Sequence, residues 1–168
     1  DGYDEIFLNN IGQPNRLYKI MENGILKRIN FTTGRLQNGY GTGAAVADID
    51  NDGILELLIA HGERKEQPLK IYKANINNKN EYLRVKPLNQ FGAPARGATV
   101  TLKSNLRTHS KTIDAGSGYL CQMEPVAHFG IRRGEKNISV SIRWTNGSEV
   151  HINNVDANKV YTIKQILN

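Results

Sequence analysis

Asp48, Asp50, Asp52 and Glu56 stand at positions 1, 3, 5 and 9 of one short run, Asp48-Ile49-Asp50-Asn51-Asp52-Gly53-Ile54-Leu55-Glu56, with glycine at position 6. The spacing suits Ca²⁺, a hard cation that takes about 6–8 oxygen ligands, because alternate side chains of a tight loop can converge on one point. Gly53 permits a turn at positive φ without steric cost. The carbonyl of Ile54 can supply a further oxygen. The run is not an EF-hand: position 12 is Ile59 where a bidentate glutamate is required, and the flanks are not helical. Thr42–Ala47 is small and β-tolerant and Leu57–Ala60 is apolar, so the loop is expected to join two strands. The alternative is a metal-free hairpin rich in turn residues. Against it stands the mutual repulsion of four carboxylates in so short a stretch.

Part of the pattern occurs twice. Asp1-Gly2-Tyr3-Asp4-Glu5 aligns with Asp52-Gly53-Ile54-Leu55-Glu56, an offset of 51 residues, and apolar runs follow both, Ile6-Phe7-Leu8 and Leu57-Leu58-Ile59. The next strand also recurs, as Asn15-Arg16-Leu17-Tyr18-Lys19 and Leu69-Lys70-Ile71-Tyr72-Lys73. A multi-strand repeat of about 40–50 residues is a propeller signal. The first copy lacks loop positions 1 to 4, which leaves Asp1, Tyr3 and Glu5 as a partial second site. Closing a propeller takes about 4–8 blades. The chain is therefore expected to be part of a longer protein whose remaining blades are its first partners.

The basic and acidic residues are unevenly placed. Residues 1–76 carry 9 Lys and Arg against 10 Asp and Glu, whereas residues 77–168 carry 13 against 6. The basic second half either presents an ordinary solvated face or favours an anionic partner such as a sulfated glycan or an acidic protein surface. Basic and aromatic residues do not interleave regularly, so nucleic acid is not expected. No run approaches the roughly 18–20 apolar residues of a membrane span. The single Cys121 excludes an internal disulfide and reads as a small core residue. Three Asn-x-Ser/Thr sequons begin at Asn30, Asn137 and Asn146, which become glycosylation candidates in a secretory setting. Asn146-Gly147 reads equally as a hairpin turn.

After the polar linker around Asn75–Asn80 a second β unit begins, so the expected domains are 1–76 and 77–168. Its strand candidates are Tyr82–Lys86, Ala98–Lys103, Lys111–Asp114, Val126–Phe129, Ile138–Trp144, Glu149–Ile152 and Val160–Ile166. The Ile138–Trp144 stretch alternates cleanly, as a sheet with one buried face requires. The expected fold is all-β: partial propeller blades followed by a compact antiparallel sandwich or barrel.

Catalysis finds little support. Gly116-Ser117-Gly118 is not a Gly-x-Ser-x-Gly nucleophile elbow, and His61, His109, His128 and His151 show no zinc spacing. Asp114, Ser117 and His128 are near one another only in sequence, which does not make a triad.

These residues carry a family likeness. Tyr40-Gly41-Thr42-Gly43-Ala44-Ala45-Val46-Ala47-Asp48, running into the acidic loop, resembles FG-GAP/VCBS propeller repeats of the integrin-α type. The second half resembles the ASPIC/UnbV domain through Gly116-Ser117-Gly118-Tyr119-Leu120, Glu124-Pro125-Val126-Ala127-His128-Phe129-Gly130 and Val140-Ser141-Ile142-Arg143-Trp144. That order of modules, and the stretch Leu83–Ala98, resemble the cartilage acidic protein family. The resemblance implies a secreted, Ca²⁺-binding, non-catalytic glycoprotein of the extracellular matrix or cell surface that acts by binding other proteins. By match to the repeat, Asp48, Asp50, Asp52, the Ile54 carbonyl and Glu56 would hold the metal. A β domain that merely caps the propeller, or a biosynthetic role as in a bacterial relative, stays open beside it.

Overall fold

The computed structural model describes residues 2–21, 23–30, 40–62, 66–74 and 80–166. Among them are thirteen β-strands and no helix, in two compact units.

One unit comprises Tyr3–Asn75 and Gly116–Met123. Its strands are β1 (Glu5–Leu8), β2 (Arg16–Ile20), β3 (Leu26–Ile29), β4 (Gly41–Ala47), β5 (Glu56–His61) and β6 (Lys70–Lys73). They form two antiparallel three-stranded meanders, β1-β2-β3 and β4-β5-β6, as expected of propeller blades. The Asn9 amide joins the two repeats by donating to the carbonyls of Gly43 (2.9 Å) and Ala60 (3.1 Å). This approach explains a glycine at position 41, where a Cβ would lie 2.3 Å from Asn9 Oδ1. Gly43 is required for a different reason. A Cβ there would lie 2.4 Å from both Cys121 Sγ and the Tyr119 carbonyl, so the segment Gly116–Met123 lies directly against β4. The Ala44 N–H donates to the Gly118 carbonyl at 3.0 Å. Cys121 is half-buried and its thiol is free.

The other unit comprises Asp1–Gly2, Ile76–Ala115 and Glu124–Asn168. It contains β7 (Glu81–Leu88), β8 (Thr99–Lys103), β9 (Thr108–Thr112), β10 (Ala127–Ile131), β11 (Ser139–Arg143), β12 (Glu149–Ile152) and β13 (Lys159–Lys164). The sheets run β10-β7-β13 and β12-β11-β8-β9. Alternate residues of both point into one shared core, with Leu83, Val85, Val100, Leu102, Phe129, Ile131, Val140 and Ile142 at its centre. Each such side chain contributes about 1.5–3 kcal/mol by leaving water. Trp144 Nε1 donates to the Leu88 carbonyl at 3.0 Å, giving the buried indole its partner. The arrangement is a two-sheet sandwich.

Two expectations need correction. The sandwich is not wholly antiparallel, because β13 pairs with β7 in parallel register, Lys159 opposite Leu83 through Lys164 opposite Leu88. Hydrophobic period reports which face is buried and carries no information on strand direction. The third strand of this unit is Thr108–Thr112, earlier than the expected Lys111–Asp114. It is a polar strand whose pairing rests on the β8 ladder and on cross-strand contacts such as Thr101 with Ser110 at 2.8 Å, so no apolar run marks it.

A buried ion pair anchors one end of the sandwich. Arg107 Nε lies 3.0 Å from Glu135 Oε1, with both side chains nearly inaccessible. Glu135 also accepts from the Ser104 hydroxyl at 2.8 Å and the Arg132 N–H at 2.9 Å. The Arg107 guanidinium also donates to the carbonyls of Gly2 and Gly130. The unit thus satisfies a charge that would be costly if left unpaired.

Candidate metal centre

The acidic run forms the turn between β4 and β5. Antiparallel pairing sets Ala47 opposite Glu56 at the mouth of the hairpin, so the turn's first and last carboxylates return to one place. Asn51 (φ 60°) and Gly53 (φ 86°) take the left-handed conformations that close so tight a loop. Backbone N–H groups then orient the carboxylates. Gly53 donates to Asp48 Oδ2 at 3.2 Å, Ile49 to Glu56 Oε2 at 2.8 Å and Ile54 to Asp52 Oδ1 at 2.9 Å.

One carboxylate oxygen from each of Asp48, Asp50 and Glu56 lies within 4.8 Å of the others. Asp48 and Glu56 are buried, whereas Asp50 is exposed. The donor set is all oxygen, which is the chemistry that Ca²⁺ and other hard cations take. A cationic group already fits the cage. Lys73 Nζ, from β6, lies 2.6 Å from Asp50 Oδ2, 2.5 Å from Asp52 Oδ2 and 2.9 Å from Glu56 Oε1. The contact with the buried Glu56 Oε1 is an ion pair without hydrogen-bond geometry. Hydrogen bonding to Lys73, then to the Ile54 N–H, holds the Asp52 carboxyl below its ordinary pKa. The Asp50 and Asp52 carboxylates push the ammonium of Lys73 above its own.

The structure therefore brings together three of the expected side chains, Asp48, Asp50 and Glu56. Asp52 stands outside that triple and meets it through Lys73. Ile54 is half-buried in the loop, where its N–H is engaged by Asp52. Of the partial second site, Asp1 lies outside the described residues, Tyr3 is half-buried and Glu5 is exposed. No convergent carboxylate group among the described residues includes Tyr3 or Glu5. Asn30, Asn137 and Asn146 are all exposed, and Asn137 has a positive φ of 54°. The remainder of the Asn30 sequon, Phe31 and Thr32, lies outside the described residues. Asn146 Oδ1 accepts from the Ser148 N–H, the Ser148 hydroxyl and Gln165 Nε2, which fixes the β11–β12 turn.

Lys73 was not among the expected site residues. Its signal lay in the repeat itself: Tyr18-Lys19 and Tyr72-Lys73 end the recurring strand, and strand pairing sets each lysine opposite the glutamate of the acidic stretch, Glu5 with Lys19 and Glu56 with Lys73.

Comparison with known proteins agrees with this architecture. Residues 1–59 match the family described as FG-GAP-like repeat, and residues 89–166 match the one described as ASPIC and UnbV. Cartilage acidic protein 1 of Homo sapiens is 41% identical over 172 residues, covering 97% of this chain and 26% of that protein. The Mus musculus protein of the same name is 43% identical over 155 residues, with 87% of this chain and 24% of that protein covered. The Xenopus tropicalis protein is 41% identical over 152 residues, with 85% and 23% covered. The chain thus spans about a quarter of the length of these relatives. With an FG-GAP-like repeat preceding an ASPIC and UnbV domain, the chain belongs to the cartilage acidic protein family.

Proposed function

We propose that this chain is a Ca²⁺-binding, non-catalytic interaction module of a secreted glycoprotein of the extracellular matrix or cell surface. The observation that carries the reading is the convergence of Asp48, Asp50 and Glu56 oxygens within 4.8 Å at the β4–β5 turn of an FG-GAP-like repeat. Asp52 and the Ile54 carbonyl complete the proposed ligand set. The cation would neutralise clustered carboxylates and tie two strands of a blade together, so its contribution is order rather than chemistry. A bound ion stabilises the folded state by mass action, by about 2.7 kcal/mol at a hundredfold excess over its dissociation constant.

The same reading takes residues 1–76 as part of a propeller and 77–168 as the ASPIC/UnbV domain. Asp1, Tyr3 and Glu5 would complete a second loop with residues of the full-length protein. Asn30, Asn137 and Asn146 are the proposed glycan acceptors. The matrix assignment is supported by the relatives' name, cartilage acidic protein 1. Partners would be extracellular proteins, with the basic second half available to anionic surfaces. Among the described residues no helix is long and apolar enough to cross a membrane.

The test is calorimetric titration of Ca²⁺ into the full-length protein and its Asp48→Ala variant. Loss of one site in the variant supports the assignment. Identical titrations, together with melting that EDTA does not alter, would overturn it.

A further inference from the structure

We propose that Lys73 is a cation built into the acidic loop: its ammonium holds the cage together when metal is absent and must leave before a metal ion can enter. Three contacts carry the first half. Nζ meets Asp50, Asp52 and Glu56 at 2.5–2.9 Å, so one positive charge is shared by three carboxylates. Without it the four carboxylates of this short turn would lose the ammonium that three of them share, leaving contacts such as the N–H groups of Ile49, Gly53 and Ile54 as counterweights. Like charges so close destabilise the fold.

The second half rests on the calcium reading. Lys73 contacts two of the three convergent carboxylates, through Asp50 Oδ2 and Glu56 Oε1. Ammonium and ion cannot both hold them in the same geometry. The apparent affinity for metal is then the intrinsic affinity reduced by the fraction of molecules whose lysine has swung out. The side chain can do so, because it is 35% exposed and its stem is flexible. Metal entry exchanges one positive charge for two, and the lysine moves to solvent.

The recurrence is an independent support. Glu5 and Lys19 are cross-strand partners in β1–β2, as Glu56 and Lys73 are in β5–β6. The repeat thus carries its counter-charge along with its acidic stretch.

Lys73→Met in the full-length protein tests both halves, since methionine keeps a flexible stem and removes the charge. In EDTA the variant is expected to melt a few degrees below the wild type, about 2–4 °C. In calorimetry it is expected to bind Ca²⁺ about tenfold more tightly at the Asp48 site. Adding Asp52→Asn to Lys73→Met removes one repelling charge and should restore much of the lost melting temperature. This double variant also serves if the single one folds poorly. Unchanged melting in EDTA, or a double variant no better than the single, overturns the built-in cation. Ca²⁺ bound with equal affinity by wild type and Lys73→Met overturns the competition while leaving the calcium reading intact. Melting that falls and is rescued, with no Ca²⁺ bound by any variant, supports the internal cation and rejects the calcium reading.

Discussion

Glu56 and Lys73 stand directly opposite each other on β5 and β6, and the lysine Nζ lies 2.9 Å from Glu56 Oε1. The two ends of this pair differ in environment. The Glu56 side chain is 6% exposed and that of Lys73 is 35% exposed. The cage therefore has an inner wall, Asp48 and Glu56, fixed by backbone N–H groups, and an outer wall, Asp50 and Asp52, open to water.

On the proposed calcium reading, this asymmetry predicts unequal losses on substitution. Asp48→Asn removes a charge from the buried wall, where screening is weak, and should weaken Ca²⁺ binding about 10- to 100-fold. Asp52→Asn removes a solvated charge outside the convergent triple and should change affinity less than about fivefold. Titration calorimetry of the two variants in one buffer measures the difference. Equal losses would show that burial does not grade the carboxylates and reject the two-wall description.

The Arg107–Glu135 pair should dominate the acid sensitivity of the sandwich. Desolvation pushes the Glu135 carboxyl up, but the Arg132 N–H, the Ser104 hydroxyl and Arg107 together outweigh it and hold its pKa below the ordinary 4.5. A carboxyl depressed in the folded state stabilises the fold above its unfolded pKa. That contribution is lost as pH falls through the folded value. The stability of the wild type, read by denaturant unfolding, should thus fall below about pH 4.5, and Glu135→Gln should flatten this dependence. At neutral pH the same variant removes the Glu135 charge from beside the buried Arg107 and should cost about 3–5 kcal/mol. Asp156→Asn, at the exposed pair with Lys159, should change stability by nothing measurable.

The acidic turn was legible because its residues are close in sequence: Asp48, Asp50 and Glu56 lie on one turn between two strands, and an oxygen of each comes within 4.8 Å of the others, while Asp52 stands outside that group. The sandwich core was legible for a related reason, since Val140 and Ile142 alternate with Ser139 and Ser141 as one buried face demands. Other features depend on partners far away in sequence. Nothing near Lys159–Lys164 says that it lies parallel to β7, because direction is decided by the packing of the whole sheet. β9 starts earlier than the expected Lys111–Asp114 because its pairing is polar and no apolar run marks its first residues. Gly116-Ser117-Gly118 was readable as a turn, but its placement against β4 follows from glycines at 43 and 118 more than seventy residues apart.

That placement gives the final prediction. Gly118 has a φ of +75°, and a Cβ there would lie 1.8 Å from the Ala44 carbonyl oxygen, a backbone atom that β4 holds in place. Gly118→Ala therefore meets both a disfavoured backbone conformation and a contact that side-chain motion cannot relieve. The local penalty should exceed about 3 kcal/mol. Gly116→Ala is the control. Its nearest atom lies 3.9 Å from the added Cβ and its φ is not left-handed, so stability should move by less than about 1 kcal/mol. Hydrogen exchange at the Ala44 amide, which donates to the Gly118 carbonyl at 3.0 Å, reads the effect where it arises. Protection should persist in Gly116→Ala and be lost in Gly118→Ala. If the amide stays protected in Gly118→Ala, the segment does not depend on this close approach for its hold on β4. If only this amide and its neighbours lose protection, the segment opens as a local unit while the rest of the blade stays folded.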